Sequence, residues 1–247
     1  MAVSVPVTFD SFLHNQQLRK KLLRSFCNQG PKVSRLHYFS RLRVNEHHEL
    51  VYCTVPDVGT EHWDRILKIL NDVPGQAEKV VNESAPLKAP HEYLSRYNMS
   101  TIDSLLASYT KIIFIRDPLQ RLLATYRRKG AMGEPFEAFV QRVLGQDLKL
   151  AASWRPLVDL CHPCLVRYDY VAAHGLLDGE LRHLLRRLGL SAEVELPEFL
   201  DWEESLSSRG LVQQHFAQLS TQLAGRVLQF YRSDFAAFNF TIGLTLD

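Results

Sequence analysis

The sequence predicts an α/β fold in which helices flank a mainly parallel β-sheet. The first observation is a pair of strand–loop–helix units, with strands over residues 50–55 and 111–115 and helices that follow from Trp63 and from Leu119. The second observation is that strand and helix patterns alternate along the chain, which is typical of a parallel sheet covered by helices. No repeat or linker divides the 247 residues, so we expect one domain over residues 1–247.

The first 45 residues are predicted to form a basic helical arm that leads into this domain. Residues 12–27 have a helical pattern, which Gly30-Pro31 ends. No acidic residue lies between Asp10 and Glu46, where the basic residues are Arg19, Lys20, Lys21, Arg24, Lys32, Arg35, Arg41 and Arg43. Such an arm can attract a sulfated or uronic-acid-rich glycan, or it can be a solvated helix face with a linker. The net charge of +2 is too small to indicate a nucleic-acid-binding protein.

The helix of the first unit is amphipathic. Its apolar residues recur at i, i+3, i+4 and i+7, and they are Trp63, Ile66, Leu67 and Leu70. Pro74-Gly75 ends this helix. Residues 75–100 are polar and contain proline, so they are predicted to form a long surface loop.

The second unit has clear helix-start signals, because Asp117 can cap the helix and Pro118 suits its first turn. The apolar stripe of this helix consists of Leu119, Leu122, Leu123 and Tyr126. The elements predicted after it are a helix from Pro135 through Val143, a short strand over 165–168, and helices over 176–188 and 210–231.

Each loop between strand and helix is a candidate anion site. Backbone N–H groups at a helix N-terminus are free and lie at the positive end of the helix dipole. Two such loops indicate a ligand with two phosphate-like groups. Arg116, at the end of the second strand, can hold a phosphate with paired N–H donors, and a surface ion pair with Asp117 is the alternative. Arg121, one turn later, either reaches the same anion or is solvated.

The four cysteines are Cys27, Cys53, Cys161 and Cys164, an even number that permits disulfides without requiring them. Cys161-His162-Pro163-Cys164 can be a redox dithiol or part of a zinc site with His162 or His174. A redox dithiol normally opens a helix, whereas this segment is predicted to precede a strand. A zinc site needs a second ligand pair, and none has suitable spacing, so we expect no metal and structural cysteines.

Compartment signals in the sequence conflict. No apolar run approaches the ~20 residues that cross a bilayer, and the N-terminus has no signal-peptide core. Three segments nevertheless match the N-glycosylation pattern, beginning at Asn82, Asn98 and Asn239. The residues alone leave the compartment open.

Four blocks of residues, in order and with matching spacing, resemble the Golgi carbohydrate sulfotransferases of the HNK-1, chondroitin/dermatan and N-acetylgalactosamine 4-O group. The blocks are residues 51–65, residues 109–127, residues 154–164 with Trp154-Arg155-Pro156 and Cys161-His162-Pro163-Cys164, and Tyr168-Asp169-Tyr170-Val171. The likeness continues to Tyr231-Arg232-Ser233-Asp234-Phe235, so it covers nearly the whole chain.

This resemblance implies a P-loop-like sulfotransferase fold that uses 3′-phosphoadenosine 5′-phosphosulfate (PAPS) as co-substrate. In that family the first loop holds the 5′-phosphosulfate, and the second unit holds the 3′-phosphate. The donor-binding candidates carried over to this sequence are Asp57, Val58, Gly59, Thr60, Glu61, His62, Trp63, Arg65, Arg116, Asp117, Arg121, Ala124 and Thr125.

The resemblance also implies a glycan acceptor, with an acidic glycosaminoglycan as one candidate, and the Golgi lumen or membrane as the location. It favours disulfide-bonded cysteines if the chain is luminal. Family members carry an N-terminal membrane anchor, which these residues do not contain, so either the sequence is a fragment or the anchor was lost. Neither the residues nor the resemblance indicates an oligomeric state.

Several residues depart from the family pattern. The resemblance implies lysine where this chain has Asp57 and Asp64, and Glu61 adds another negative charge. A lysine neutralises charge that develops as sulfate leaves, whereas an aspartate repels a phosphosulfate. Ala124 replaces a serine that contacts the 3′-phosphate, and Thr125 points about 100° away around the helix. Ser153 replaces a histidine, which puts any acid/base role of that histidine in doubt.

Two function classes therefore remain open. The chain is either an enzyme that transfers sulfate from PAPS to a glycan hydroxyl, or an inactive sulfotransferase-fold protein that binds a glycan or a partner. His62 is the candidate catalytic residue, because an imidazole can replace the lost cation or act as general base on the acceptor hydroxyl. A partly exposed histidine in a turn is the other interpretation.

Overall fold

The computed structural model describes residues 7–29, 39–71, 92–129, 133–145, 154–190 and 201–241. Within these ranges, the helices are α1 (Phe9–Gln29), α2 (Thr60–Asn71), α3 (Met99–Ser108), α4 (Pro118–Lys129), α5 (Phe136–Leu144), α6 (Leu157–Cys161), α7 (Pro163–Val166), α8 (Leu177–Arg187), α9 (Asp201–Phe216), α10 (Thr221–Phe230) and α11 (Arg232–Phe238). The strands are β1 (Leu42–Asn45), β2 (Leu50–Cys53), β3 (Glu92–Tyr93), β4 (Thr110–Ile115) and β5 (Tyr170–Ala173).

The described strands form one five-stranded sheet in the order β3-β1-β2-β4-β5. β2 pairs with β4, and β4 with β5, in parallel, whereas β1 pairs with both β2 and β3 in antiparallel fashion. β1 alone therefore runs against the other described strands, and the predicted α/β fold with a mainly parallel sheet is confirmed. The carboxyl ends of β2, β4 and β5 share one edge of the sheet.

The central strands are buried because helices cover both faces of the sheet. β2 is buried along its whole length, and β4 is buried from Lys111 to Ile115. The stripe Trp63, Ile66, Leu67 and Leu70 of α2 belongs to the same core, and each of these side chains is at most 1% exposed. A second apolar cluster joins α4, α5 and α10, with Leu122, Phe139 and Val227 among its buried residues.

The predicted basic arm is wrong in two respects. Residues 42–45 form strand β1 of the sheet, because Leu42 and Val44 alternate into the core. Helix α1 confirms the predicted helix over 12–27, yet it packs on the body of the protein through Phe12, Gln16 and Leu23.

Helix α1 is also held along the outer edge of β5. The Gln16 side-chain amide donates to the Val171 carbonyl oxygen at 3.1 Å, and the Val171 N–H donates to Gln16 Oε1 at 2.9 Å. Arg19 donates to the same carbonyl oxygen and pairs with the buried Glu180 at 2.8 Å. One cation of the expected arm is therefore partly buried and paired with a buried carboxylate.

Three other element predictions are corrected. Residues 165–168 are not a strand, because Pro163 starts the short helix α7 and Arg167 ends it in a left-handed conformation; the strand is β5, over 170–173. The predicted helix over 210–231 is two helices, since Ser220 caps α10 with its hydroxyl. Residues 75–100 are not one long loop, because β3 and the start of α3 lie within them.

Some predictions lie outside the described residues: the helix end at Pro74-Gly75, the first part of the predicted loop, the acceptor pattern at Asn82, and Ser153. The remaining helix predictions are confirmed, over 135–143 by α5 and over 176–188 by α8. None of the described helices is long and apolar enough to span a membrane.

The four cysteines form two disulfides. Cys27–Cys164 joins the end of α1 to α7, and Cys53–Cys161 joins the end of β2 to α6. Cys161 and Cys164 therefore have different partners, which excludes a dithiol between them in this structure and confirms the structural interpretation.

Candidate functional site

A cavity of about 500 Å³ lies where the chain leaves the carboxyl ends of β2, β4 and β5. Its volume is in the range of ligand pockets, and this edge of a parallel sheet is where such folds bind ligands. The residues that line it are Asp57, Gly59, Glu61, His62, Arg116, Ala124, Arg127, Arg128 and His174.

The first wall of the cavity is the turn between β2 and α2. Asp57 has φ 64° and Gly59 has φ 100°, so the backbone twice adopts a conformation that most side chains disfavour. A Cβ on Gly59 would be strained by this φ and would lie 2.7 Å from Leu177 Cδ2, so glycine is strongly favoured there. The buried Thr60 hydroxyl donates to the Val55 carbonyl oxygen at 2.7 Å and so holds the start of α2 against the strand.

Asp57 joins this turn to α4. Its Oδ2 accepts hydrogen bonds from the Thr125 hydroxyl at 3.1 Å and from Arg128 at 2.8 Å. Its backbone carbonyl oxygen accepts from Arg116 at 3.1 Å, and its N–H donates to Glu61 Oε1 at 3.3 Å. The Asp57 carboxylate is therefore already hydrogen-bonded to two side chains of α4, the Arg128 guanidinium and the Thr125 hydroxyl.

The second wall is the turn between β4 and α4. Arg116 follows β4 directly and is only 8% exposed, yet its side chain borders the cavity. Asp117 caps α4, because its Oδ1 accepts from the N–H groups of Leu119 at 2.9 Å and Gln120 at 3.1 Å. Burial raises the pKa of Asp117, although these two hydrogen bonds favour its charged form.

The structure brings part of the predicted site together. Asp57, Gly59, Glu61, His62, Arg116 and Ala124 line the cavity. The other candidates do not line it. Val58, Thr60, Trp63 and Thr125 are at most 1% exposed, Asp117 caps its helix, and Arg65 is exposed on α2.

The prediction for Arg121 is corrected most clearly, because this residue neither lines the cavity nor is solvated. Its side chain is fully buried and donates to the carbonyl oxygens of Trp154 and Arg155. Its guanidinium lies 3.9 Å from the Asp234 carboxylate, which also accepts the Leu157 N–H at 2.8 Å. Arg121 therefore connects α4 to α6 and α11.

Asp64 also lies elsewhere than expected. Its carboxylate accepts the Tyr52 hydroxyl at 2.7 Å and lies 3.6 Å from Arg43, on the side of β1 and β2. The expected repulsion of a phosphosulfate by Asp64 has no support in this geometry, because Asp64 does not line the cavity. Asp57 and Glu61 are the carboxylates that do.

Three lining residues were missed in the sequence. Arg127 and Arg128 lie one helical turn after Ala124, so the same helix face could have pointed to them. His174 directly follows β5 and was considered only as a zinc ligand; the misplaced strand over 165–168 hid its position at the carboxyl edge.

The charge of the cavity comes from Arg116, Arg127 and Arg128 against Asp57 and Glu61, with His62 and His174 beside them. Because arginines outnumber carboxylates, the cavity suits an anionic ligand. Among the described residues, no cluster of three or more histidine, cysteine or acidic side chains is arranged to hold a metal ion.

Comparison with known proteins agrees with this arrangement. The chain is 26% identical to carbohydrate sulfotransferase 9 of Homo sapiens over 265 residues, which cover 92% of this chain and 60% of that protein. It is 26% identical to carbohydrate sulfotransferase 8 of Mus musculus, over 96% of this chain and 67% of that one. It is 24% identical to carbohydrate sulfotransferase 11 of Rattus norvegicus, over 97% of this chain and 79% of that one.

The chain thus spans about three fifths of the human relative's length. No solved structure matches it significantly. Residues 40–241 match the Sulfotransferase family, and this match includes β1 to β5, both turns of the cavity and all the residues that line it. The chain therefore belongs to the sulfotransferase family.

Proposed function

We propose that the chain transfers a sulfuryl group from PAPS to a glycan hydroxyl. Family membership and the names of the carbohydrate sulfotransferase relatives support this reaction and this acceptor class. The observation that carries the proposal is the position of Arg116. This nearly buried arginine follows a central parallel strand and borders a cavity at the edge of the sheet where α/β folds bind nucleotides.

The residues present fit the donor. Arg116, Arg127 and Arg128 supply N–H donors for phosphate oxygens, and the left-handed turn at Gly59 lets backbone come close to a ligand. In the proposed assignment, the turn before α2 faces the phosphosulfate, and Arg116 with the side chains of α4 faces the 3′-phosphate. PAPS supplies an activated sulfuryl group when bound, and the chain supplies orientation and positive charge.

The proposed transfer is an in-line displacement. The acceptor oxygen bonds to sulfur while the bond from sulfur to the bridging phosphate oxygen breaks, and the bond electrons stay with the departing phosphate. His62 accepts the proton of the acceptor hydroxyl, since it lines the cavity beside the turn before α2. The cavity arginines stabilise the charge on the leaving phosphate.

A specific observation favours a second candidate, an inactive member that binds a glycan or a partner. Two carboxylates, Asp57 and Glu61, line the cavity, and Asp57 occupies the hydrogen bonds of Thr125 and Arg128. An anionic donor has to displace or tolerate these groups, which weakens its binding.

The proposed location is the Golgi lumen. Two disulfides within the described residues support an oxidising compartment, because such bonds rarely persist in the cytosol. Asn98 and Asn239, which begin two of the N-glycosylation patterns, are both exposed.

Calorimetric titration with adenosine 3′,5′-bisphosphate, the nucleotide left after transfer, tests the donor site. We expect wild-type protein to bind and Arg116→Ala to bind at least about 30-fold more weakly, since hydrogen bonds to charged groups contribute about 2 kcal/mol. Arg65→Ala is the matched control, because Arg65 is exposed on α2 and lies off the cavity.

Circular dichroism and thermal melting show whether each variant is folded. If folded wild-type protein fails to bind the nucleotide, the donor proposal is refuted and the binding-module candidate remains. If it binds, transfer of labelled sulfate from PAPS to a panel of glycans separates the active enzyme from an inactive nucleotide-binding relative.

A further inference from the structure

A second cavity, of about 720 Å³, lies on the side of the sheet where β5 begins, and we term it the basic groove. One wall is the C-terminal half of α1, which contributes Lys20 and Arg24. The other wall is α7 with the segment before β5, which contributes Arg167 and Asp169. The disulfide Cys27–Cys164 joins the two walls, so their spacing is covalently fixed.

The groove carries positive charge that no described carboxylate neutralises. Lys20, Arg24 and Arg167 face it, and none of them forms an ion pair within the part of the chain that the structure describes. Its own carboxylate, Asp169, lies 2.9 Å from Lys111 Nζ and is balanced there. Lys21 extends the positive surface, because it lines an adjoining depression with Lys20 and Arg24.

The two cationic residues of α1 are one helical turn apart. Like charges at this spacing destabilise a helix, so the arrangement is unfavourable unless an anion lies between them. A groove of this volume that is lined by three cations, on walls joined by a disulfide, is suited to a chain with several negative groups.

The basic groove is separate from the cavity of about 500 Å³ that contains the proposed donor site, which we term the donor cavity. Asp169 precedes β5 and His174 follows it, so the two sites lie at opposite ends of this strand. Five residue steps of extended chain correspond to about 17 Å. A ligand in the groove therefore does not compete with one in the donor cavity, and only an elongated molecule contacts both.

We propose that the basic groove binds an acidic stretch of a glycan through its sulfate or carboxylate groups, apart from the hydroxyl that receives sulfate. The choice of a glycan rests on the proposed function. The groove does not suit single-stranded nucleic acid, because Tyr168 is only 5% exposed and its hydroxyl donates to the Cys161 carbonyl oxygen, so its ring offers no stacking surface.

The test measures binding of a fluorescent, size-defined chondroitin sulfate decasaccharide at fixed ionic strength. The triple variant Lys20→Gln, Arg24→Gln, Arg167→Asn removes the cations of the groove. Asparagine is chosen at 167 because Arg167 has φ 55°, which asparagine adopts readily. We expect this variant to bind about tenfold more weakly, as three exposed charge contacts are lost.

The matched control is Lys68→Gln, Arg187→Gln, Arg232→Gln, which removes the same charge from exposed positions outside the groove. We expect its affinity for the decasaccharide to stay within about threefold of wild type. Undiminished binding in the groove variant, an equal loss in the control, or tighter binding of a single-stranded oligonucleotide of equal charge would each overturn the proposal.

Titration of the same variants with adenosine 3′,5′-bisphosphate separates this inference from the proposed donor site. We expect all three proteins to bind the nucleotide equally, since the substituted residues do not line the donor cavity. If the wild type binds the decasaccharide through the groove but does not bind the nucleotide, the proposal for the groove is supported and the proposal for the donor site is refuted.

Discussion

Replacing Asp57 by asparagine is expected to tighten the binding of adenosine 3′,5′-bisphosphate. The substitution removes the negative charge of a side chain that lines the donor cavity and is 14% exposed. It also weakens the hold of residue 57 on Arg128, which now lies 2.8 Å from the carboxylate. Asparagine suits the backbone, because Asp57 has φ 64°, whereas the lysine of the family pattern would strain it.

The size of the effect follows from Coulomb's law. Two unit charges about 6 Å apart repel by about 0.7 kcal/mol in water and by about 2.8 kcal/mol at an effective dielectric constant near 20. The cavity is open to solvent but bordered by the buried Arg116, so the geometric mean of these two energies is the appropriate value. A gain of about 1.4 kcal/mol corresponds to a tenfold lower dissociation constant.

Isothermal titration calorimetry of both proteins at the same ionic strength measures this change. Asp64→Asn is the control, because it makes the same substitution on α2 in a carboxylate that faces Tyr52 and Arg43 instead of the cavity. Its nucleotide affinity should stay within about twofold of wild type. Unchanged affinity in Asp57→Asn, or an equal gain in both variants, would refute the reasoning.

Three further outcomes follow from the same geometry. Gly59→Ala should lower the unfolding free energy by about 2 kcal/mol, because residue 59 has φ 100° and its Cβ would contact Leu177. Gly189→Ala is the control: with φ 68° and nothing within 4 Å, it should lower the unfolding free energy by about 1 kcal/mol. Equal losses of the two variants in urea unfolding would contradict the steric argument. Arg121→Met should lower the unfolding free energy by about 3–5 kcal/mol, because it leaves the Asp234 carboxylate buried without its cation. The nucleotide affinity of the folded variant should not change. A selective loss of affinity would show that Arg121 takes part in nucleotide binding. Burial raises the pKa of Asp234 from 3.8 to about 6, so the native state holds the extra proton between these values and the unfolding free energy falls as pH rises through this window. Relative to Asp234→Asn, the wild type should lose about 2 kcal/mol of unfolding free energy between pH 4 and pH 7, and parallel pH profiles would refute the shifted pKa.

Local patterns predicted the two units around the donor cavity well. The stripe from Trp63 to Leu70 fixes which face of α2 is buried, and Asp117 with Pro118 marks the start of α4. These signals act within a few residues, so the sequence contains them directly. The strand ends and the loops that follow them could therefore be located without tertiary information.

Long-range contacts explain what the sequence did not reveal. Arg121 has the spacing of a ligand-binding residue, but its partner Asp234 is more than a hundred residues away, and no local pattern connects them. Leu165 and Val166 are apolar like a strand, yet Pro163 starts a helical turn, and this displaced the expected strand from β5. Asp57 and Asp64 appeared equivalent until the structure placed them at different surfaces.

The Gln16 amide has a consequence for how this protein can associate. β5 is the last strand of the sheet, and an outer strand with free N–H and C=O groups is a template for a strand from another molecule. Gln16 bonds both groups of Val171 as a neighbouring peptide would. The helix α1 thus ends the sheet at that edge, and two copies of the chain cannot join β5 to β5 into a continuous sheet while α1 stays in place.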